Sequence, residues 1–218
     1  MEKIIKQLEE KVKTLFHKEN SGHDIYHLKR VLNNALAIQE KEGGDKLIIA
    51  ISALLHDVHR IMQNETGAFV SPKDSLPKIK EVLDTVDLTD EQKERIMHVI
   101  EFHEEYDFSK EGKTVNDIET LIVQDADNLD GMGAMSVARS FSYGAVNKIP
   151  MWAPEIPFDQ GIYDESKLDH STVHHFHSKA LKLKDNMNTK TAQSMAKHRH
   201  EFLKLFLQEF FDEWSGKK

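Results

Sequence analysis

Residues 46–58 constrain this chain more than any other segment. They hold Leu47, Ile48, Ile49, Ala50, Ile51, Ala53, Leu54, Leu55 and Val58. A helix over this span is apolar almost all round, and such a helix sits at the centre of a protein, wrapped by other helices. The run from Leu47 to Leu55, broken by Ser52, is far too short to cross a bilayer.

Amphipathic helices are available to cover it. Residues 3–17 place Ile4, Ile5, Leu8, Val12, Leu15 and Phe16 at helical spacing. Asn20-Ser21-Gly22 breaks that pattern. Asp24 then caps a second helix through Ile25, Leu28, Val31, Leu32, Ala35 and Ile38, which ends at Gly43-Gly44 before a new cap at Asp45. A loop is expected at 63–73 and a helix at about 74–86. Thr89-Asp90-Glu91-Gln92 reads as a capping box opening a helix to about His103. Residues 104–113 read as a polar loop. Helical periodicity returns from Asn116 to about Ala145, bent near Gly131 or Gly133, and again over about 169–184 and 189–214. Residues 146–168, with Pro150, Pro154, Pro157 and Gly161, form the one long irregular stretch. No useful strand pattern occurs, so the expected class is all-α.

The chain has 218 residues, suited to one large domain or a domain with an appended piece. Its net charge of −8 argues against general nucleic-acid binding. There is no cysteine, so a metal site must use His, Asp and Glu. The N-terminus lacks the apolar core of a signal peptide, and the expected location is the cytoplasm.

Against this background His56-Asp57 stands out. The pair closes the most apolar helix, where an ionised Asp is costly unless paired or metal-bound. It also falls near a helix C-terminus, where the macrodipole disfavours an anion. An Asp facing solvent at the helix end is the alternative. Two further segments draw attention: His23-Asp24-Ile25-Tyr26-His27, with Arg30 three residues on, and Gln124-Asp125-Ala126-Asp127-Asn128-Leu129-Asp130. On a helix Asp127 and Asp130 share a side, and Asp125 points away from Asp127.

Taken in order, His27-x-x-Arg30-Val31, His56-Asp57 and Asp125-Ala126-Asp127-x-Leu129-Asp130 resemble the HD-domain superfamily of metal-dependent phosphohydrolases. The resemblance implies an HD-domain-like helical bundle with extra C-terminal helices. It implies a single HD-type domain over 1–218, with its metal-binding core at about 20–145 and a helical extension at about 169–214. His27, His56, Asp57 and Asp127 match the metal ligands. Residues 121–144, Lys182-Leu183-Lys184-Asp185, Met187-Asn188-Thr189 and Glu213-Trp214 are similar to a bacterial subfamily of small HD proteins that includes a nucleotide pyrophosphohydrolase. The chain departs from that subfamily at Asn128, where Arg is usual, and at Glu104-Glu105, where Ser-Phe is usual.

Two imidazoles and two carboxylates suit Mn²⁺, Mg²⁺, Fe²⁺, Co²⁺, Ni²⁺ or Zn²⁺, with Mn²⁺ favoured here. Arg60 is the first candidate to hold phosphate, followed by Arg139 and Lys29. Asp57 belongs to the catalytic set, and His23 and His103 are candidate proton carriers because free imidazole titrates near neutrality. The expected reaction is cleavage of a nucleoside triphosphate to monophosphate and pyrophosphate. A 5′-nucleotidase, a phosphodiesterase and a non-catalytic nucleotide-sensing module are the alternatives. The expected partner is a small phosphorylated compound, a nucleotide, with no membrane.

Three patterns invite other readings. His23-x-x-x-His27 mimics a metalloprotease motif, with Asp24 in place of its Glu. His170, His174, His175 and His177 read as a solvated or interface face, not as a second metal site. Phe202, Leu205, Phe206, Phe210 and Phe211 read as helical core or as the face of a homodimer.

Overall fold

The structure is a computed structural model that describes residues 1–17, 19, 22–104, 115–158 and 168–218. It is all-α, with no strand among the described residues. The helices run α1 (Glu2–Leu15), α2 (Ile25–Glu42), α3 (Lys46–Leu55), α4 (Val58–Thr66), α5 (Leu76–Leu83), α6 (Asp90–Phe102), α7 (Ile118–Asp130) and α8 (Gly133–Val146). A short α9 (Thr172–His175) continues through a π-type turn at Phe176–Ala180 and a 3-10 turn at Leu183–Asn186. The long α10 (Lys190–Trp214) follows.

As its composition requires, α3 is central. Every residue from Ile48 to Leu55 is buried, and α1, α2, α6 and α7 pack around it. The local signals behave as their chemistry predicts. The Asp45 carboxylate accepts from Leu47 N at 2.9 Å and Ile48 N at 3.3 Å. Thr89 and Gln92 form the reciprocal capping box. Gly43, at φ +87, closes α2.

The helix expected over 46–58 is in fact two. α3 stops at Leu55, and α4 starts at Val58. No Pro or Gly marks the break, so it left no trace in the periodicity. Asp57 therefore occupies the N-cap position of α4. The dipole argument reverses in consequence, because a helix N-terminus favours an anion. α4 also continues to Thr66, past the expected loop start at 63. Its last turn is polar and exposed, and Gly67 at φ +69 ends it.

A second hydrophobic cluster lies between α8, α9 and α10. It contains Val173, Phe176, Ala180, Leu203 and Leu207, joined by Phe141, Trp152, Phe158, Phe206, Phe210 and Phe211. Phe202 and Leu205 stay on the surface. Part of the expected irregular stretch is thus anchored: Pro150 O and Met151 O accept from Thr172 N and Val173 N. Residues 159–167, Gly161 included, fall outside the described residues, as does Glu105.

Asp125 ties the C-terminal helices to the core. Fully buried on α7, its carboxylate accepts from Asn188 N at 2.7 Å, Thr189 N at 2.8 Å and Thr189 Oγ1 at 2.7 Å. These bonds hold the start of α10, where Thr189 is itself the N-cap.

Candidate metal centre

The site forms where α2, the α3–α4 break and the C-terminal half of α7 meet. Asp24 caps α2 by accepting from His27 N at 2.8 Å, which fixes the first turn and turns the His27 ring inward. His27 Nδ1 donates to Asp130 Oδ2 at 2.7 Å. His56 Nδ1 donates to Ala53 O at 2.9 Å. With both Nδ1 atoms acting as donors, each neutral ring presents Nε2 as a bare lone pair. These two nitrogens face each other at 3.2 Å.

Two carboxylates close on the same point. Asp57 Oδ2 lies 3.1 Å from His27 Nε2 and 3.6 Å from His56 Nε2. Asp127 Oδ1 lies 3.4 Å and 3.8 Å from the same atoms. Four acceptors converge, three of their residues essentially fully buried. Lone pairs held this close repel unless a cation lies among them, and a buried charge needs a partner. His27 shows the same demand. Burial and the Arg139 charge lower its pKa, but the Asp130 and Asp57 carboxylates outweigh them and raise it, so a proton on Nε2 and a cation compete for the same place. The donor set fits a divalent ion: His27, His56 and Asp127 each place a ligand atom within 4.8 Å of the others, and Asp57 Oδ2 approaches both imidazoles.

A supporting layer surrounds the four. Asp130 accepts from His27, from Arg30 Nε at 2.8 Å and Nη2 at 3.0 Å, and from Arg139 Nη1 at 2.9 Å. Burial raises its carboxyl pKa, yet these donors hold it well below the usual range. Burial likewise opposes ionisation of Asp57, but the neighbouring His56, His23 and His27 rings outweigh it and hold the carboxyl well below the usual carboxylate range. Asp127 is depressed too, His56 and His27 outweighing burial. Such partners fix a ligating imidazole's tautomer and orientation.

His23 precedes α2, and its Nδ1 donates to Asp57 Oδ2 at 2.8 Å. It is therefore not on one helix face with His27, and Asp24 is committed to capping. The metalloprotease pattern is absent. Burial pushes the His23 pKa down to about 3, with Asp57 opposing and Arg139 and Arg60 assisting. Its side chain keeps 24 % exposure, so solvent tempers that shift. Burial pushes His103 down to about 4. Both shifts run downward from the near-neutral value of a free imidazole, which favours the neutral ring. His103 is buried with its ring edge-on to His56, centroids 5.0 Å apart.

Arg139 reaches the site from α8, its Nη2 lying 3.3 Å from His23 Nε2. Arg60 is bound by an acid: Nη2 donates to Glu104, and Nε lies 3.8 Å from Asp57 Oδ1. Lys29 is exposed. Two residues turn a helix by roughly 200°, which carries it away from the face of His27. The expected role of Lys29 in holding substrate has no support in this geometry.

The histidine-rich segment also differs from expectation. His170 precedes α9, so no helical pair with His174 forms. His174 is buried, its Nδ1 accepting from Ser171 Oγ at 2.7 Å and its Nε2 donating to Ile156 O at 3.1 Å. No metal-binding group of His, Asp and Glu forms there among the described residues. Sequence reasoning missed the parts played by Asp130, Arg30, His59 and Glu104. The three-residue spacings of His27 to Arg30 and Asp127 to Asp130 were the available signal for the first two.

The HD domain pattern matches residues 24–132. An uncharacterised protein of Bacillus subtilis (strain 168), YpgQ, is 32 % identical over 214 residues, 98 % of this chain and 95 % of that one. This chain belongs to the HD-domain family. The crystal structure of an HD-superfamily hydrolase from Bacillus thuringiensis is 34 % identical, with a TM-score of 0.72, and covers 98 % of this chain and 97 % of that one. The structure of B. subtilis YpgQ in complex with ADP aligns with a TM-score of 0.64 and 29 % identity, over 94 % of this chain and 97 % of that one. Membership of the HD family supports a metal-dependent phosphohydrolase in general terms, and HD domains bind divalent metals. Among the described residues no helix is long and apolar enough to cross a membrane.

Proposed function

We propose that this HD protein hydrolyses a nucleoside triphosphate to the monophosphate and pyrophosphate, with one divalent ion, Mn²⁺ favoured, held by His27, His56, Asp57 and Asp127. The observation that carries the reading is the 3.2 Å approach of two imidazole lone pairs flanked by two carboxylate oxygens. A dication there lowers the pKa of a water and offsets charge on a phosphoryl oxygen.

The chain's own residues supply the rest. Neutral His23 gives its Nδ1 hydrogen to Asp57 and keeps Nε2 as an acceptor, in position to take a proton during attack. Arg139, anchored through Nη1 on Asp130, directs Nη2 to the same side and pairs with phosphate oxygens. The ADP bound by YpgQ favours a nucleotide over other phosphoesters. The whole chain acts as one HD-type unit, Asp125 fixing the C-terminal helices behind the site.

One observation favours a second reading. The Arg60–Glu104 pair engages a cation that a triphosphate would want. A monophosphate, and thus 5′-nucleotidase activity, asks for less positive charge. Product analysis on a nucleotide panel with Mn²⁺ decides. Pyrophosphate plus monophosphate is expected. Orthophosphate released from monophosphates selects the nucleotidase, and tight metal binding with no turnover selects a sensing module.

A further inference from the structure

The last turn of α7 carries an electrostatic problem that its own residues do not solve. Asp127 and Asp130 both lie there, at the end where the helix dipole is negative and disfavours an anion. No basic residue occupies that turn. The cations come from other helices. Arg30 of α2 and Arg139 of α8 bind the Asp130 carboxylate. A third arrives from the far end of the chain. Arg199, half-buried on α10, donates Nη1 to Leu129 O, so its charge sits on the backbone at the negative end of α7.

The same guanidinium reaches α2. Its Nη2 donates to Asn34 Oδ1 at 3.1 Å, and Asn34 Nδ2 donates to Ala126 O at 3.2 Å. Asn34 follows His27 by about two turns, so both lie on one face of α2. The two carbonyls held in this way, Ala126 O and Leu129 O, bracket Asp127. His27 Nε2 and Asp127 Oδ1 stand 3.4 Å apart across the α2–α7 contact, and one ion must reach both. A slip of one helical rise, about 1.5 Å, is far beyond the ~0.2 Å tolerance of a metal bond. Gly133 makes room for the arginine. It opens α8 at φ +71, and a Cβ there would stand 3.1 Å from Arg199 Cβ and 3.2 Å from its Cγ.

We propose that Arg199 is a positioning residue for the metal centre: from α10 it offsets the negative end of α7 and, through Asn34, sets the α2–α7 register that brings His27 and Asp127 to one ion. The proposal rests on the metal reading of that centre. It gives α10 a part in the site that differs from the anchoring done by Asp125. Asp125 holds the start of α10, whereas Arg199 acts from α10 back on the turn that bears a ligand.

The test is Mn²⁺ titration of chelator-stripped protein, read by calorimetry per folded chain, beside urea unfolding of the same metal-free variants. Arg199→Gln is expected to weaken Mn²⁺ binding by about tenfold or more, the usual loss when a ligand's support is removed. Arg199→Lys keeps the charge at the helix end and is expected to recover most of that loss. Asn34→Ala leaves Arg199 on Leu129 O and should weaken binding by about fivefold, the worth of one ordinary hydrogen bond. It also carries the test if Arg199→Gln does not fold. Asp125→Ala loosens the start of α10 without touching either carbonyl, and should lose stability at unchanged Mn²⁺ affinity. Arg199→Gln or Asn34→Ala protein that binds Mn²⁺ as tightly as the wild type overturns the positioning role and leaves the metal centre intact. Equal weakening in Asp125→Ala traces the effect to a loose α10 and overturns the role of Arg199 as well. No binding by the wild type overturns the metal reading and the proposal with it.

Discussion

His56, in the break between α3 and α4, and His174, on the short α9, are both buried histidines with other histidines and an aspartate nearby. Their surroundings differ in one respect. Around His174 each polar atom meets its complement: Ser171 gives a hydrogen to Nδ1, and Ile156 O takes one from Nε2. Its neighbour His175 donates Nδ1 to Asp169 at 3.0 Å. Around His56 the acceptors face one another, with Nε2 atoms 3.2 Å apart and two carboxylates beside them. The first cluster is complete as a piece of core. The second becomes favourable only with a cation. Residue type and spacing do not separate the two; the direction of each hydrogen does.

The comparison breaks most visibly in activity. Asp57→Ala removes a ligand, the partner of His23 and the charge next to both histidines. It should lower kcat/KM by about 10³-fold or more, since metal-supplied charge stabilisation is worth several kcal/mol. His175→Ala should leave kcat/KM within about twofold, because this half-buried ring is bonded to Asp169 and belongs to no ligand group of the site. Equal losses in both variants would erase the distinction.

Asp125→Ala probes a carboxylate two residues before Asp127, on another face of α7 and with no part in the site. It orphans buried donors on Asn188 and Thr189, each worth roughly 1–3 kcal/mol. We expect about 3 kcal/mol less stability in urea unfolding, with metal stoichiometry unchanged. Loss of metal without loss of stability would show that Asp125 had been misread.

Asp130→Asn weakens the partner of His27, Arg30 and Arg139. Removal of such supports typically costs about 10–100-fold in metal affinity. Calorimetry with Mn²⁺ checks this, and an unchanged affinity would mean that Asp130 does not orient His27.

The smallest effect is in pH. In metal-free protein, unfolded His103 gains a proton below its ordinary value of 6.5, while burial keeps the folded ring neutral down to about 4. The unfolded state binds more protons in that window, so stability falls as pH falls through it. This group alone contributes up to roughly 1.4 kcal/mol per pH unit. His27, raised in the fold, acts in the opposite sense: its contribution is full below 6.5 and is lost as pH rises through its folded value. A His103→Asn variant should show a shallower acid slope in unfolding melts; an unaltered slope would contradict the buried neutral ring.

The helices were legible in the sequence because burial imposes a period. Leu28, Val31, Leu32 and Ala35 face the core of the bundle, and capping residues at Asp24, Asp45 and Thr89 act within a turn of their own position. His56-Asp57 was legible because charge beside an all-apolar helix is anomalous. The break between α3 and α4 was not, since no Pro or Gly marks it and Val58-His59-Arg60-Ile61 reads as more helix. The partners of Asp130 were hidden for another reason. Arg30 and His27 lie about a hundred positions away in the chain, and only the packing of α2 on α7 joins them. Glu104 appeared as a departure from related chains, but its closeness to His59 and Arg60 depends on how α4 meets the end of α6. The histidines at 170–177 misled because composition suggested solvent, whereas Trp152 and Phe158 cover His174.

The most direct test of the metal centre is divalent-ion binding by wild type, His56→Ala and His175→Ala, measured as equivalents per folded chain. We predict that His56→Ala loses the tight equivalent while His175→Ala matches the wild type. Equal binding by all three would contradict the centre formed by His27, His56, Asp57 and Asp127.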